Sequence, residues 1–146
     1  MKPILCGFLD QEEHASFQEV IDRALRLGID HIGLRSYGGK PLIELSDAEI
    51  KNLQNDLKTA KLKVSVIDPK IASYDVYDEG KHKEALDQFK YMLKFADRFK
   101  ASHLFLRIPK FNDVIEEFDA IEKRMTDYID QAMRAGKKII LLPVNQ

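Results

Sequence analysis

The chain has 146 residues, with 23 Lys+Arg against 24 Asp+Glu, a formal net charge of -1, and a composition 45% hydrophobic and 32% charged. That length predicts one domain spanning 1–146 with a sizeable core, and the charge balance excludes a general pull toward nucleic acid or an anionic membrane. No apolar run approaches the roughly 20 residues of a membrane span, the N-terminus lacks a signal-peptide pattern, and a lone cysteine, Cys6, forms no internal disulfide. A reducing, cytoplasmic setting is the expectation.

The predicted elements alternate. Ile4 to Leu9 (ILCGFL) reads as a first strand, with Cys6 as core packing. Ser16 and Glu19 form a capping box before a helix whose apolar face carries Phe17, Val20, Ile21, Ala24 and Leu25, and Gly28 stops it. His31 to Tyr37 is a second strand, followed by a Gly38-Gly39 turn before Pro41. Ser46 and Glu49 form a second capping box before Ile50, Leu53, Leu57 and Ala60. Lys63 to Asp68 is a third strand, and a long loop follows it. The next helix carries Ala85, Leu86, Phe89, Met92, Leu93, Ala96 and Phe99 and leads to a fourth strand, His103 to Ile108. Asp113 and Glu116 are expected to open the last helix, with Val114, Ile115 and Phe118 on its apolar side; Gly136 ends it, and Ile139 to Val144 is a fifth strand. Strands separated by helices predict a parallel sheet with right-handed crossovers.

His31-Ile-Gly-Leu-Arg35 and His103-Leu-Phe-Leu-Arg107 echo each other as H-x-x-L-R. Alternation places His31, Gly33 and Arg35 on one side of their strand and His103, Phe105 and Arg107 on one side of theirs. The same reasoning puts Cys6, Phe8, Val64, Val66 and Phe105 on a common face.

Ligands of parallel α/β folds collect at the C-terminal ends of the strands. Those ends offer Asp10; Arg35 with the Ser36 to Lys40 turn; Asp68 and Lys70; Arg107 and Lys110; and Asn145 with Gln146. Arg35 and Arg107 suit an anionic substrate through charge-assisted hydrogen bonds, with Asp68 and Lys110 beside them. The competing role for each arginine is a structural ion pair with an acid such as Asp68. The Gly-Gly turn lacks a nucleotide-binding spacing. His14, His31, His82 and His103 have no ligand-like spacing, and no metal residue is assigned. The loop holding Tyr74 and Tyr77 is either a lid or a solvated connection.

The junction Ala24-Leu-Arg-Leu-Gly-Ile-Asp-His-Ile-Gly-Leu-Arg35, the strand Lys63-Val-Ser-Val-Ile67 and the helix from Ala85 to Phe99 leading into His103-Leu-Phe-Leu-Arg107 resemble one family. It is the xylose-isomerase-like TIM barrels, the sugar phosphate isomerase/epimerase group, and the similarity covers the N-terminal half only. A complete barrel needs about 200 residues or more. The resemblance implies a partial TIM barrel of five strands and four helices, part of an isomerase or epimerase for a small sugar phosphate. It implies a divalent metal in a complete member and none bound by this chain alone. The carboxylate such a family places after strand five is absent from Leu142-Pro-Val-Asn-Gln146. Catalysis is not expected from this chain by itself. Its expected partners are a small anionic or sugar substrate and either a second copy, as a dimer or larger homo-oligomer, or a missing C-terminal half-barrel. The alternatives are a flavodoxin-like doubly wound sheet acting as a non-catalytic, receiver-type binding module, with Asp68 as phosphoacceptor, and a self-associating structural half-barrel.

Overall fold

The computed structural model describes residues 4–9 and 16–142. Five strands, β1 (Cys6–Gly7), β2 (His31–Leu34), β5 (Lys63–Ile67), β6 (His103–Arg107) and β7 (Lys138–Leu142), form one parallel sheet in that spatial order. A short antiparallel hairpin, β3 (Ser36–Tyr37) and β4 (Lys40–Pro41), projects from the end of β2. Four helices connect the sheet: α1 (Phe17–Leu27), α2 (Asp47–Ala60), α3 (Glu79–Arg98) and α4 (Phe118–Arg134).

Strand order equals chain order. A flavodoxin-like sheet begins in its middle and reverses direction, so that its helices cover both faces. This sheet begins at one edge and runs to the other, and right-handed crossovers then stack every helix on one side. The result is five strands curled into a half-barrel, and the doubly wound alternative is overturned.

Local signals explain most element boundaries. Ser16 accepts the Glu19 N–H at 3.3 Å and opens α1, while Gly28, at φ 67°, closes it onto the Ala24 and Leu25 carbonyls. Only at α2 is the capping box reciprocal: Ser46 Oγ accepts from Glu49 N–H, and Glu49 Oε1 accepts from Ser46 N–H. The Gly38-Gly39 turn has positive φ at both residues, as a tight hairpin turn requires. Tyr37 fixes that hairpin to the helices, donating to Asp56 Oδ2 at 2.6 Å and meeting the Phe17 ring edge-on. The third strand ends at Ile67 and the fourth at Arg107, each one residue short of the expected limit.

Three expectations are corrected. First, the last helix starts at Phe118, not near Asp113. Asp113 Oδ1 accepts the N–H groups of Ile115 and Glu116, and this local turn replaces the first helical turn. Val114, Ile115 and Phe118 are therefore exposed, Ile115 by 85%. Second, Cys6 is exposed, because among the described residues β1 lies at the sheet edge with only β2 beside it. Third, Val64 is buried in the helix-side core, not on the open face. The β2–β5 register jumps from Ile32↔Val64 to Gly33↔Val66, so Ser65 is an extra residue, a bulge. Below it Val64 points to the helices with Ile32; above it Ile67 does, and Val66 and Asp68 face the open side. The core is centred on Ile32, Ile67, Leu104, Phe89 and Met92, all fully buried between sheet and helices.

Candidate functional site

Parallel strands β2, β5 and β6 are neighbours, so their C-terminal ends, carrying Arg35, Asp68 and Arg107, form one rim. Arg107 Nη1 and Nη2 donate to Asp68 Oδ1 and Oδ2 at 3.1 and 3.2 Å, a two-pronged ion pair across adjacent strands. Asp68 is only 3% exposed. Its backbone N–H donates to the Leu34 carbonyl, extending the β2–β5 ladder, and its Oδ1 also accepts the Lys70 N–H at 2.9 Å. This tight turn places Lys70 at φ 52°, with its side chain exposed. Arg107 stays partly open. A guanidinium has five N–H donors, and the pair with Asp68 uses two of them.

Below the rim the open face is aromatic. The Phe8 and Phe105 rings lie 5.1 Å apart, and the Arg35 guanidinium sits 4.9 Å above the Phe8 ring. Gly33 makes room for this arrangement, because a Cβ there would come within 2.8 Å of the Phe8 ring. Arg23 of α1 donates to the Leu9 carbonyl and ties the end of β1 to the helix layer. The site thus combines an aromatic floor, two guanidinium groups and one oriented carboxylate.

Lys110 is exposed, and its backbone is engaged: its N–H donates to the Tyr74 carbonyl at 2.7 Å, and its carbonyl accepts from Val76. The loop of residues 69–78 is accordingly a packed strap, with Ile71, Tyr74 and Val76 buried, in place of the lid or solvated connection expected. Asp10, His14, Asn145 and Gln146 lie outside the described residues. Sequence reasoning placed Phe8 and Phe105 on one face but missed the Arg35 guanidinium over Phe8 and a polar cluster of Tyr74, His82, Asp127 and Tyr128, whose members are too far apart in the chain to form a motif. The internal echo was the one signal pointing at Gly33 and Phe105 together.

A divalent ion needs several convergent donors. Among the described residues no group of three His, Cys, Asp or Glu side chains gathers in one place. Asp68 already binds the Arg107 guanidinium with both oxygens, so the described rim does not fit a metal by itself. A cavity of about 680 Å³ opens at the other end of the strands. Its Lys58, Arg98 and Lys100 stand at the C-terminal ends of α2 and α3, where cations balance the helix dipoles.

No family model and no curated protein matches the sequence. Solved structures do match in shape. A xylose isomerase-like TIM barrel protein from Mycobacterium smegmatis, in complex with magnesium, is 19% identical, with a TM-score of 0.70 over 95% of this chain and 54% of its own. The IOLI protein with a zinc atom is 21% identical, with a TM-score of 0.74 over 95% of this chain and 51% of its own. A D-tagatose 3-epimerase-like protein is 14% identical, with a TM-score of 0.68 over 93% and 51%. The chain therefore has the fold of xylose isomerase-like TIM barrels and spans about half their length. No helix among the described residues is long and apolar enough to cross a membrane.

Proposed function

We propose that this chain supplies one wall of a sugar isomerase- or epimerase-like barrel and receives a small sugar phosphate, or a similar anionic polyhydroxy ligand, at the rim of Arg35, Asp68 and Arg107. The observation that carries the reading is the placement of Arg35 and Arg107 on one rim above an aromatic floor, while the Asp68–Arg107 pair is by itself the structural role that competes with it. Asp68 orients the guanidinium, so that its remaining donors present a fixed anion-binding edge. The Phe8 and Phe105 rings suit the C–H face of a sugar, while polar groups at the rim set its orientation. Arg35, held over Phe8, supplies a second cation, and Lys110 is the candidate for a third, at the mouth.

The reaction class of the complete barrel would be a proton shift beside a carbonyl, promoted by acid/base groups. A divalent metal belongs to that complete barrel; the described residues of this chain bind and orient. Completion would come from further (β/α) units or from a second copy. One feature favours such a cover: Ile129, Met133 and Leu141 line an apolar groove of about 420 Å³ between α4 and β7. Among the described residues β7 pairs only with β6.

NMR titration of the chain with inorganic phosphate and with a hexose 6-phosphate tests the reading. Shifts should cluster at Arg35, Asp68 and Arg107. Arg107→Ala should weaken binding by roughly 1.5–3 kcal/mol, about 10- to 150-fold. An affinity unchanged by Arg107→Ala assigns the arginine to structure alone.

A further inference from the structure

Three short hydrogen bonds run through the helix side of the molecule, away from the rim. The Tyr74 hydroxyl lies 2.5 Å from His82 Nδ1 and 2.6 Å from the Tyr128 hydroxyl, and His82 Nε2 lies 2.7 Å from Asp127 Oδ2. Tyr74, His82 and Tyr128 are all buried, Tyr128 to 1% exposure. Phe89 and His82 each meet the Tyr128 ring edge-on, which leaves that ring little room to turn.

The proton order of this chain follows from its ends. The Asp127 carboxylate only accepts, so His82 donates to it through Nε2, and a neutral imidazole then offers Nδ1 as an acceptor. Tyr74 then donates to His82 and accepts from Tyr128. Burial pushes both tyrosine hydroxyls above their ordinary range, so both keep the protons they donate. Arg124 is the cation beside the cluster, and its Nε donates to the Val76 carbonyl at 2.9 Å. No buried side-chain polar atom among the described residues is left without a partner. A buried polar chain costs desolvation that an apolar cluster of equal volume avoids; what it supplies is one defined geometry.

That geometry bears on the rim. Tyr74 is six residues beyond Asp68, and Lys110 is three beyond Arg107. The segments between are laced together: Ser73 Oγ donates to the Ile108 carbonyl, Lys110 N–H to Tyr74, and Val76 N–H to Lys110. Asp75 and Lys110 form a parallel β-bridge. The strap is thus joined to the rim at one end and to α3 and α4 at the other. Pro69 and the Asp68–Lys70 turn transmit its position over a short, stiff path.

We infer that Tyr74, His82 and Tyr128 are positioning residues, a clasp that fixes the strap after β5 and through it the relative placement of Asp68 and Arg107. The inference rests on the rim reading for its purpose, but its geometry is testable without a ligand. In the full chain, the Arg107 Nε–H resonance reports the pair with Asp68, and amide hydrogen exchange reports the strap. Tyr74→Phe should speed exchange across residues 69–78 and 108–112 about tenfold and shift or broaden the Arg107 signal. Tyr128→Phe should do the same to a smaller extent. Ile50→Val, a loss of stability in α2 remote from the clasp, should change neither. Inorganic phosphate affinity should fall several-fold in both tyrosine variants.

Strap exchange and an Arg107 signal identical to those of the native chain in folded Tyr74→Phe or Tyr128→Phe would overturn the clasp. A native chain that binds no phosphate, with the Arg107 signal still sensitive to Tyr74→Phe, overturns the rim reading and keeps the clasp. If Tyr74→Phe does not fold, Tyr128→Phe and the ring-nitrogen spectrum of native His82 decide. A proton on Nε2 with Nδ1 accepting supports the clasp, and the opposite tautomer breaks it.

Discussion

Helices α3 and α4 are both amphipathic, yet the structure uses their apolar faces unequally. Along α3, His82, Ala85, Phe89, Met92, Leu93, Phe95 and Ala96 are buried. Along α4 only Met125, Tyr128 and Ala132 are, and Met133 on the same helix is 71% exposed. The strands beside them differ in the same way: β6 has a partner on each side, whereas among the described residues β7 has one. An apolar stripe thus records that a face is suited to burial and says nothing of which element covers it. The centre of the molecule is finished as a domain interior, whereas the described residues leave the apolar groove of the β7–α4 flank uncovered.

The sharpest test of that contrast is truncation at the centre. Phe89→Ala removes a fully buried ring packed on Tyr128 and should cost about 3–5 kcal/mol in urea unfolding. A loss below about 1 kcal/mol would show that the centre is no better packed than the flank. Next in size is Asp68→Ala, which leaves Arg107 and the Lys70 N–H without their acceptor. A loss of about 1.5–3 kcal/mol is expected by the same assay. A smaller effect is expected at the hairpin, between the two regions in character. Burial, then the bond to Asp56, raises Tyr37 to about 12. A hydroxyl raised in this way stabilises the fold fully below its ordinary value of 10.0 and loses that contribution as pH rises toward 12. Tyr37→Phe should therefore remove a late component, near pH 12, from the tyrosinate absorbance titration and flatten the alkaline limb of stability. The smallest effect belongs to the flank. Met133→Lys or Leu141→Lys should change the stability of the isolated chain by no more than about 0.5 kcal/mol. Light scattering should show any dimer or larger species of the native chain shifted toward monomer, and a species unchanged by either substitution would take the flank out of self-association.

Much of the fold is legible in the sequence because it is written locally. Ser16, Gly28 and the Ser46–Glu49 box each act over three or four residues, and the strands show their period within five. What acts over distance is not legible. Alternation of strands and helices leaves the strand order open, so the half-barrel and the doubly wound sheet cannot be separated by pattern alone. The Val114–Phe118 stretch has a helical period, but two hydrogen bonds to Asp113 replace the first turn. Of the rim, Arg35, Asp68 and Arg107 are read directly from the strand ends. The Tyr74–His82–Tyr128 chain is hidden, since its members lie 8 and 46 residues apart and meet only once α3 and α4 pack side by side.

The bulge at Ser65 governs which way Asp68 faces. Val64 and Asp68 are four positions apart, an even offset, so in a regular strand both would point to the same side. Val64 points to the helices, and a regular strand would carry Asp68 there too, a carboxylate among aliphatic side chains with Arg107 on the far side of the sheet. The extra residue shifts the phase once, and everything after it changes sides. The facing of the rim carboxylate is therefore stored as a parity, a count of residues rather than their identity. Ser65 can be exchanged for another small residue without loss of this information, whereas its deletion would exchange inside for outside over the rest of the strand.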